Sequence, residues 1–304
     1  MRPIIAIIGP TAIGKTRLAL QLAQHLEGEI IGADSRQVYR YMDIGTAKPT
    51  PGERALVPHH LVDIIDPDEP FSIALYQELA CQTIQEIQRR DGLVFLVGGS
   101  GLYAWGIMEG WKIPKVAPDH QFRHLMEQRT VTEGKESLHA ELRTVDPVAA
   151  EKIDFRNTRR VIRALEVIRA TGTPISQLQQ KAPPPFPTLI IGLTTSRDHL
   201  YQRIDERVDH MMSEGLVEEV NSLLERGYDP ALAPMSGMGY KQVVQYLQGE
   251  KELSAATEET KFETHRFARH QYAWFRLADP RIHWFDITRN IDEPVTRLVD
   301  KAIS

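Results

Sequence analysis

The segment Gly9-Pro10-Thr11-Ala12-Ile13-Gly14-Lys15-Thr16 decides the fold, because it joins an apolar run to an amphipathic one. Isoleucine and alanine fill residues 4–8 before it, and residues 17–26 after it show helical periodicity. A glycine-rich turn between a short strand and a helix is typical of a loop that binds phosphate groups. Its backbone amides point inward, and the helix N-terminus adds partial positive charge. The sequence therefore predicts a strand, a phosphate-binding loop and a helix.

Lys15 and Thr16 have the side chains that phosphate chemistry requires at these positions. In such loops the lysine reaches the outer phosphates, and the threonine hydroxyl ligates Mg²⁺. An ordinary glycine turn is the alternative interpretation, which the flanking strand and helix disfavour. Because the loop recognises only phosphates, it does not distinguish a nucleotide such as ATP from another diphosphate. The rest of the chain has to decide between them.

Composition places the chain among ordinary globular proteins. With 304 residues, 42% of them hydrophobic and 25% charged, it can form one large domain or two smaller ones. Its apolar runs, such as residues 93–97, are too short to cross a bilayer, and no leader pattern precedes Ile4, so we expect a cytoplasmic protein. Cys81 is the only cysteine, which excludes a CxxC metal site and predicts a buried apolar thiol. The net charge of −5 argues against indiscriminate nucleic-acid binding but leaves room for a local basic face.

Three predicted strands end in polar or glycine-rich segments. Besides residues 4–8, they are residues 29–33, which lead to Asp34, and residues 93–97, which lead to Gly98-Gly99-Ser100-Gly101. The carboxyl ends of parallel strands meet at one edge of a sheet, where ligands bind. We therefore expect these segments to form one site.

The chain is predicted to be an α/β protein, with a P-loop NTPase-like parallel sheet flanked by helices and a mostly helical insertion domain. Residues 1–111 and 188–304 form the predicted P-loop catalytic core, and residues 112–187 form the insertion. The proline-rich residues 181–187 can only be an extended connector. Further strands are expected at residues 60–65, 188–193 and 282–285, and further helices at residues 71–90, 197–215, 216–226, 242–247 and 257–277.

Asp34 is the first candidate catalytic residue, because it follows the second predicted strand and so should lie near the phosphate loop. A carboxylate there can act as a general base. A helix N-cap or a loop aspartate is the alternative, and position alone does not decide between the two. Ser35 and Gln37 follow it with side chains able to hydrogen-bond a base or another flat polar group.

Other groups of metal-ligand residue types have simpler interpretations. Asp63, Asp66 and Asp68 lie in a proline-containing loop, where aspartates are common turn residues. His59 and His60 are adjacent, and we interpret them as solvated or hydrogen-bonded side chains in preference to a metal pair. The sequence therefore predicts no metal site built from these residues.

Four arginines of the insertion, Arg156, Arg159, Arg160 and Arg163, are spaced by three, four and seven residues, which puts them on one helical face. A solvated face is the ordinary interpretation of such a run. Here Glu166 is the nearby acidic residue and the arginines repel one another, so an anionic partner such as a phosphodiester backbone explains the stripe better.

Aromatic and basic residues alternate in residues 261–276. Stacking platforms for unpaired bases have this composition, but so do aromatic core faces of helices, and we favour the core for Phe267, Trp274 and Phe275.

Arg203 and Arg207 lie one turn apart on a predicted helix that should pack on the core. Either guanidinium could close over a diphosphate as a bidentate clamp. A surface ion pair with Asp205 or Glu206 is the simpler alternative.

Several segments together closely resemble the tRNA dimethylallyltransferases, also called tRNA isopentenyltransferases. The matching segments are residues 9–16, 33–39, 42–49, 59–63, 98–103, 157–160, 163–167, 215–220 and 239–240, which span nearly the whole chain. Those around Asp34 and Gly45 are far more specific than the phosphate loop. The resemblance implies transfer of a dimethylallyl group from dimethylallyl diphosphate to the exocyclic amine of the adenosine 3′-adjacent to the anticodon of tRNA, with release of diphosphate.

The resemblance also implies a role for each matching residue. Catalysis is expected from Asp34 as the base, Ser100 through its hydroxyl and Arg203 on the diphosphate. Gly9, Pro10, Thr11, Ala12, Ile13, Gly14, Lys15 and Thr16 are expected to bind the diphosphate, with Mg²⁺ on Thr16. Contacts with tRNA are expected from Asp34, Ser35, Arg36, Gln37, Ser100, Arg123, Thr158, Arg159, Arg160, Val161 and Ile162. The adenosine has to be flipped out of its loop to enter the site, and the protein is expected to be a monomer.

Two departures from the family pattern affect these roles. Ser100 stands where the family usually has threonine, which keeps the hydroxyl. Residues 268–274 replace a usual Lys-Arg-Gln and a later threonine, which weakens a tRNA role for Arg269 and His270. No Cys/His finger follows the core, as expected for a bacterial-type or organellar form.

Other functions remain alternatives at this point. A P-loop kinase of small molecules or nucleotides shares the phosphate loop, and an adenylate prenyltransferase shares the donor chemistry. A free nucleotide offers too little phosphate to require the arginine stripe. A non-catalytic RNA-binding module does not explain Lys15, Thr16 and Asp34 together.

Overall fold

One parallel sheet organises the chain, whose residues 2–179 and 182–304 are described by a computed structural model. Its six strands are β1 (Ile4–Ile8), β2 (Glu29–Gly32), β3 (His59–His60), β4 (Val94–Gly98), β5 (Thr188–Thr194) and β6 (Ile282–Asp286). They lie in the order β3-β2-β4-β1-β5-β6, and every neighbouring pair is parallel. The predicted α/β fold class, a parallel sheet flanked by helices with a helical insertion, is confirmed.

The chain divides into two compact units. The first comprises residues 2–108 and Phe186–Ser304, and the second lies within Glu109–Pro185. Helices of the first unit are α1 (Lys15–His25), α2 (Pro51–Leu56), α3 (Ile73–Arg89), α4 (Gly101–Met108), α10 (Arg197–Ser213), α11 (Leu216–Glu225), α12 (Tyr240–Leu247), α13 (Leu253–Trp274) and α14 (Asp292–Ile303). Helices of the second unit are α5 (His120–Glu133), α6 (Lys135–Val145), α7 (Pro147–Lys152), α8 (Thr158–Thr171) and α9 (Ile175–Leu178).

The core of the first unit lies on the sheet. Strands β1 and β4 are buried along their whole length, as expected for strands covered on both faces. Apolar residues of α1, α10 and α14 pack on one side, among them Leu22, Ile204 and Val295. Burial of this apolar surface removes the sheet from water and holds its carboxyl edge in place.

The ends of β2 and β4 lie unusually close together. A Cβ atom at Gly98 would lie 2.0 Å from the carbonyl oxygen of Ala33, so only glycine fits there. The Ser100 amide then donates a hydrogen bond to the same carbonyl, at 3.2 Å. Close packing of the two strand ends therefore brings Asp34 and Ser100 together.

The prediction of a strand at residues 60–65 is wrong beyond its first residue. The strand ends at His60, because Leu61 and Asp63 adopt positive φ angles of 60° and 57°. Residues in this left-handed region cannot continue a strand. Ile65 returns to a single parallel bridge with Tyr39.

Smaller expectations have mixed outcomes. Cys81 is half-buried, although a buried thiol was expected. Residues 182–187 form neither helix nor strand, as the prolines predict, and Lys181 of that prediction lies outside the described residues. In the described part of the chain, no helix has the length and apolar character needed to span a membrane.

The second unit is built around a buried ion pair. Its apolar core includes Phe122, Leu138 and Leu165. Glu166, whose side chain is only 2% exposed, accepts two hydrogen bonds from Arg123, at 2.8 Å each, and one from Arg163, at 2.5 Å. Burial opposes ionisation of Glu166, but both arginines and the Asp119 amide outweigh it and lower its pKa to about 2.

We expect Glu166→Gln to destabilise the chain by about 3 kcal/mol at pH 7, because it leaves two partly buried guanidinium groups without their counter-charge. The pKa of Glu166 is lower in the folded state, so its contribution is present above pH 4.5 and is lost as the pH falls toward 2. Urea unfolding at several pH values measures this. Glu151→Gln, at an exposed glutamate of the same unit, is the control. Equal stability of both variants at pH 7 would contradict the assignment.

Candidate active site

A cavity of roughly 920 Å³ lies at the carboxyl edge of the sheet. It is lined by residues of the phosphate loop, by Asp34, Ser35, Arg36 and Gln37 after β2, by Ser100 after β4, and by Arg203 and Arg207 of α10. Every predicted site residue of the first unit except Gly9, Pro10 and Ile13 lines this cavity. The structure thus brings together the segments that follow three separate strands.

Side chains from outside the phosphate loop hold it in place. Lys15 folds back and donates to the carbonyl oxygens of Gly9, at 3.1 Å, and Pro10, at 2.7 Å. Ala12 has a strained φ of 61°, and its carbonyl oxygen accepts a hydrogen bond from Arg203 Nε at 2.9 Å. These hydrogen bonds hold the loop in position, with α1 beginning at Lys15.

Two half-buried cations, Lys15 of the loop and Arg207 of α10, line the cavity. Burial, followed by the charge of Arg207, lowers the pKa of Lys15 to about 7, against an opposing effect of Asp34. Burial also lowers the pKa of Arg207, again opposed by Asp34. Across residues 2–179 and 182–304, Arg207 makes no hydrogen bond or ion pair. An anion in the cavity would compensate both cations.

Asp34 and Ser100 present complementary polar groups to the cavity. Asp34 Oδ1 accepts the Arg36 amide proton at 2.9 Å, while Oδ2 has no hydrogen-bond partner in the described part of the chain. Ser100 Oγ accepts the Ser35 amide proton at 3.2 Å, so its own proton is available to a ligand. Asp34 is therefore suited to both of the predicted roles: one carboxylate oxygen stabilises the loop, and the other can accept a proton.

Arg36 and Gln37 are held by backbone carbonyl groups. Arg36 Nη1 donates to Ala233 at 2.5 Å. Gln37 Nε2 donates to Thr46 at 3.1 Å and Ala47 at 3.0 Å, and these two acceptors define which end of the amide is nitrogen.

Gln271 is a site residue that the sequence did not reveal. Its buried side chain accepts the Thr11 amide proton at 2.8 Å and donates to the Gly99 carbonyl oxygen at 2.9 Å. It thus ties the phosphate loop to the segment that carries Ser100. Gln271 lies within the basic and aromatic residues 261–276.

The aromatic side chains of residues 261–276 have mixed outcomes. Phe275 is buried, as predicted. Phe267 and Trp274 are 39% and 44% exposed, so their predicted core positions are wrong.

Two of the acidic and histidine candidates form ion pairs within the protein. Asp63 pairs with Lys48 and Arg54, and His60 pairs with Glu29. In residues 2–179 and 182–304, no three His, Cys, Asp or Glu side chains are grouped to hold a metal ion.

Thr16 remains as the metal-ligand candidate. Its half-buried side chain lines the cavity, and its hydroxyl has no hydrogen-bond partner in the parts of the chain that the structure describes. A single protein oxygen of this kind fits Mg²⁺, which keeps waters and phosphate oxygens as its other ligands.

The arginines of the second unit separate into two groups. Arg156 precedes α8, which begins at Thr158, and pairs with Asp154. Arg163 is paired with Glu166, so the predicted stripe of four repelling arginines on one helix is wrong. Arg159 and Arg160 are exposed, and neither makes an ion pair with any described residue.

Three of the predicted tRNA-contact residues have side chains that take part in the packing of the second unit. The guanidinium of Arg123 is committed to Glu166, and the side chains of Val161 and Ile162 are buried in the core of the unit. Contact of tRNA with these three positions stays a prediction. Thr158, Arg159 and Arg160 at the start of α8 remain accessible to a partner.

The fold and the cavity define an α/β protein of the P-loop type, with a candidate ligand site at the carboxyl edge of its parallel sheet. A family model described as IPP transferase matches residues 37–278, and one described as isopentenyl transferase matches residues 2–61. A tRNA dimethylallyltransferase from Dehalococcoides mccartyi is 50% identical over 98% of this chain and 92% of that protein. Another from Roseiflexus castenholzii is 53% identical over 91% and 90%.

Solved structures with a similar fold carry similar descriptions. The full-length tRNA isopentenylpyrophosphate transferase of Bacillus halodurans has a TM-score of 0.72 and 41% identity, over 99% of this chain and 95% of that one. A eukaryotic dimethylallyltransferase acting on tRNA has a TM-score of 0.80 and 26% identity, over 98% and 78%. This chain belongs to the tRNA dimethylallyltransferase family and is a prenyltransferase. The resemblance is confirmed, and the comparisons do not support the kinase and adenylate prenyltransferase alternatives.

The lowered pKa of Lys15 predicts that diphosphate binding takes up protons. A bound anion raises that pKa again, so affinity is highest below pH 7 and falls as the pH rises through 7. We expect uptake of about one proton per bound inorganic diphosphate near pH 8, relative to Lys15→Arg, which stays charged. Calorimetry in buffers of different ionisation enthalpy measures it. Identical proton uptake by the two proteins would refute the assignment.

Proposed function

We propose that this protein transfers the dimethylallyl group of dimethylallyl diphosphate to the exocyclic amine of the adenosine 3′-adjacent to the anticodon in tRNA. The observation that carries the proposal is the adjacency of a free carboxylate oxygen, on Asp34, and an anion-binding loop in one cavity of a member of this family. The amine nitrogen attacks the allylic carbon, the carbon–oxygen bond breaks, and diphosphate leaves with the electron pair.

The phosphate loop is proposed to act as a clamp for the leaving group. Lys15 would exchange its hydrogen bonds to Gly9 and Pro10 for diphosphate oxygens, and the loop amides would contribute further donors. Arg207, which lacks a partner among the described residues, is a second cation for the diphosphate. Arg203 is tied to Ala12, so it supports the loop as well as facing the cavity. Such fixed donors stabilise charge that develops as the bond breaks.

Asp34 is proposed as the general base. Its Oδ1 is occupied by the turn that it forms, which leaves Oδ2 to accept the proton of the amine. The Ser100 hydroxyl lies on the adjoining strand end and donates a hydrogen bond to a reactant. Ser35, Arg36 and Gln37 contact the flipped adenosine and its neighbours.

Mg²⁺ is proposed as the cofactor, held by Thr16, diphosphate oxygens and water. When bound, this ion neutralises charge on the diphosphate and makes it a better leaving group. The protein itself supplies one hydroxyl, so metal binding should depend on the diphosphate. A monomeric state and a cytoplasmic location stay predictions.

The second unit is proposed to contact tRNA, with the start of α8 as the contact surface. Arg159 and Arg160 are exposed cations at the N-terminus of this helix, where backbone amides also favour phosphate. Residues 112–187 are thus proposed as the tRNA-contacting domain. The remaining residues are proposed as the catalytic core.

The direct test is an assay with dimethylallyl diphosphate, Mg²⁺ and an unmodified tRNA that has adenosine at this position. We expect the mass of the tRNA to increase by one C5H8 unit, localised to that adenosine by nuclease digestion. Replacement of that adenosine by guanosine is the control and should give no product. No product with either tRNA, together with phosphoryl transfer from ATP to a small molecule, would favour a kinase.

Asp34→Asn should reduce kcat by 10²–10⁴-fold, the range that general-base catalysis supplies. The amide keeps an oxygen for the Arg36 hydrogen bond, so we expect the turn and the affinity for tRNA to be preserved. Single-turnover rates and filter binding measure the two effects. A loss below about tenfold would show that another group takes the proton.

Arg159→Ala combined with Arg160→Ala should weaken tRNA binding and make it less dependent on salt. Each lost phosphate contact lowers the slope of log affinity against log salt concentration by roughly 0.7–0.9. Binding isotherms at several salt concentrations measure the slope. Arg143→Ala, at an exposed arginine of α6, is the control. An unchanged slope in the double variant would remove this surface from the tRNA interface.

A further inference from the structure

Three of the segments that match the family, residues 42–49, 215–220 and 239–240, meet in one hydrogen-bonded unit. Glu219 Oε2, on α11, accepts the backbone amide protons of Asp43 and Ile44 at 2.9 and 2.7 Å. Its Oε1 accepts the Gly45 amide proton at 3.2 Å and the Tyr240 hydroxyl proton at 2.6 Å. Three consecutive amides around one anion form a nest, which is filled here from within the protein.

This nest holds residues 43–48, which we name the 43–48 loop. Tyr240 lies beneath it so closely that a Cβ atom at Gly45 would be 2.5 Å from the tyrosine ring. Lys48, whose side chain is 1% exposed, anchors the far end of the loop on Asp43, Asp63 and the Tyr39 carbonyl oxygen. The loop is therefore fixed at both ends by hydrogen bonds to charged groups.

The 43–48 loop in turn fixes Gln37. Its carbonyl oxygens at Thr46 and Ala47 accept the two amide protons of Gln37. Gln37 is thereby left with only its Oε1, a hydrogen-bond acceptor, to offer to a ligand in the cavity. An acceptor suits the N–H groups of adenine and repels the carbonyl oxygen that guanine carries at the corresponding position.

We propose that Glu219 is a positioning residue that sets the recognition of the target base by holding the 43–48 loop and, through it, Gln37. The proposal rests on the proposed function in one respect, the contact between Gln37 and the adenosine. Within the described residues, Glu219 makes no hydrogen bond or ion pair with the phosphate loop or with Asp34. Its effect should therefore appear in tRNA recognition and leave the use of dimethylallyl diphosphate unchanged.

A double-mutant cycle tests this route. Glu219→Gln replaces one acceptor oxygen by a donor that faces the amide nest, and should raise the KM for tRNA about tenfold while changing the KM for dimethylallyl diphosphate less than about twofold. In a Gln37→Ala background the same substitution should raise the KM for tRNA less than about threefold, because the residue that it positions is gone. Glu218→Gln, at the exposed neighbouring glutamate, is the control and should behave as wild type.

Each outcome decides one point. If the two substitutions raise the KM for tRNA by independent factors that multiply in the double variant, Glu219 does not act through Gln37. If Glu219→Gln raises the KM for tRNA and the KM for dimethylallyl diphosphate equally, Glu219 only stabilises the fold. Either result would overturn the positioning role. No effect of Gln37→Ala alone would contradict the proposed contact with adenosine and, with it, this inference. If Glu219→Gln does not fold, Tyr240→Phe removes one donor to the carboxylate but keeps the ring under Gly45, and the same cycle with Gln37→Ala gives the answer.

Discussion

The site depends on two like charges, those of Lys15 and Arg207, that are held in one partly desolvated cavity. Lys15 and Arg207 repel one another, and burial weakens the hydration of both. Asp34 compensates them only in part, since the pKa of each cation stays lowered. Two such cations can be held together when an anionic ligand supplies the compensating negative charge. The same cations then stabilise the negative charge of a departing diphosphate.

The loops around that charge are ordered by two polar side chains, one buried and one half-buried. Loop amides and carbonyl groups cannot pair within a sheet, so they need other partners when they are withdrawn from solvent. Gln271 supplies them for the phosphate loop and for Gly99, and Glu219 supplies them for the 43–48 loop. Both side chains come from helices far along the chain. Their effect is preorganisation, because the site needs less ordering when the reactants arrive.

The sequence predicted the parts of this arrangement that depend on local pattern. Continuous apolar runs identify the buried strands, and strand-to-loop changes identify Asp34 and Ser100 at the same sheet edge. Positive φ angles at Leu61 and Asp63 interrupt an apolar run that looks like a strand, and no periodicity reveals them. Gln271 and Glu219 were not identified, because a hydrogen bond between residues more than 170 positions apart leaves no local signal.

The arginines of the second unit show why charge spacing alone is ambiguous. Arg163 and Arg160 lie one turn apart on α8, yet only Arg163 is close to the buried carboxylate of Glu166. Arg123, from another helix, shares that carboxylate, so two of the candidate phosphate ligands stabilise the unit instead. An arginine near a glutamate on the apolar face of a helix forms an ion pair within the protein, because an unpaired buried carboxylate would be destabilising. Arginines on the opposite, exposed face of the helix remain available to an anionic partner. To tell the two groups apart, one must know that the glutamate is buried, and the spacing of the arginines does not give this.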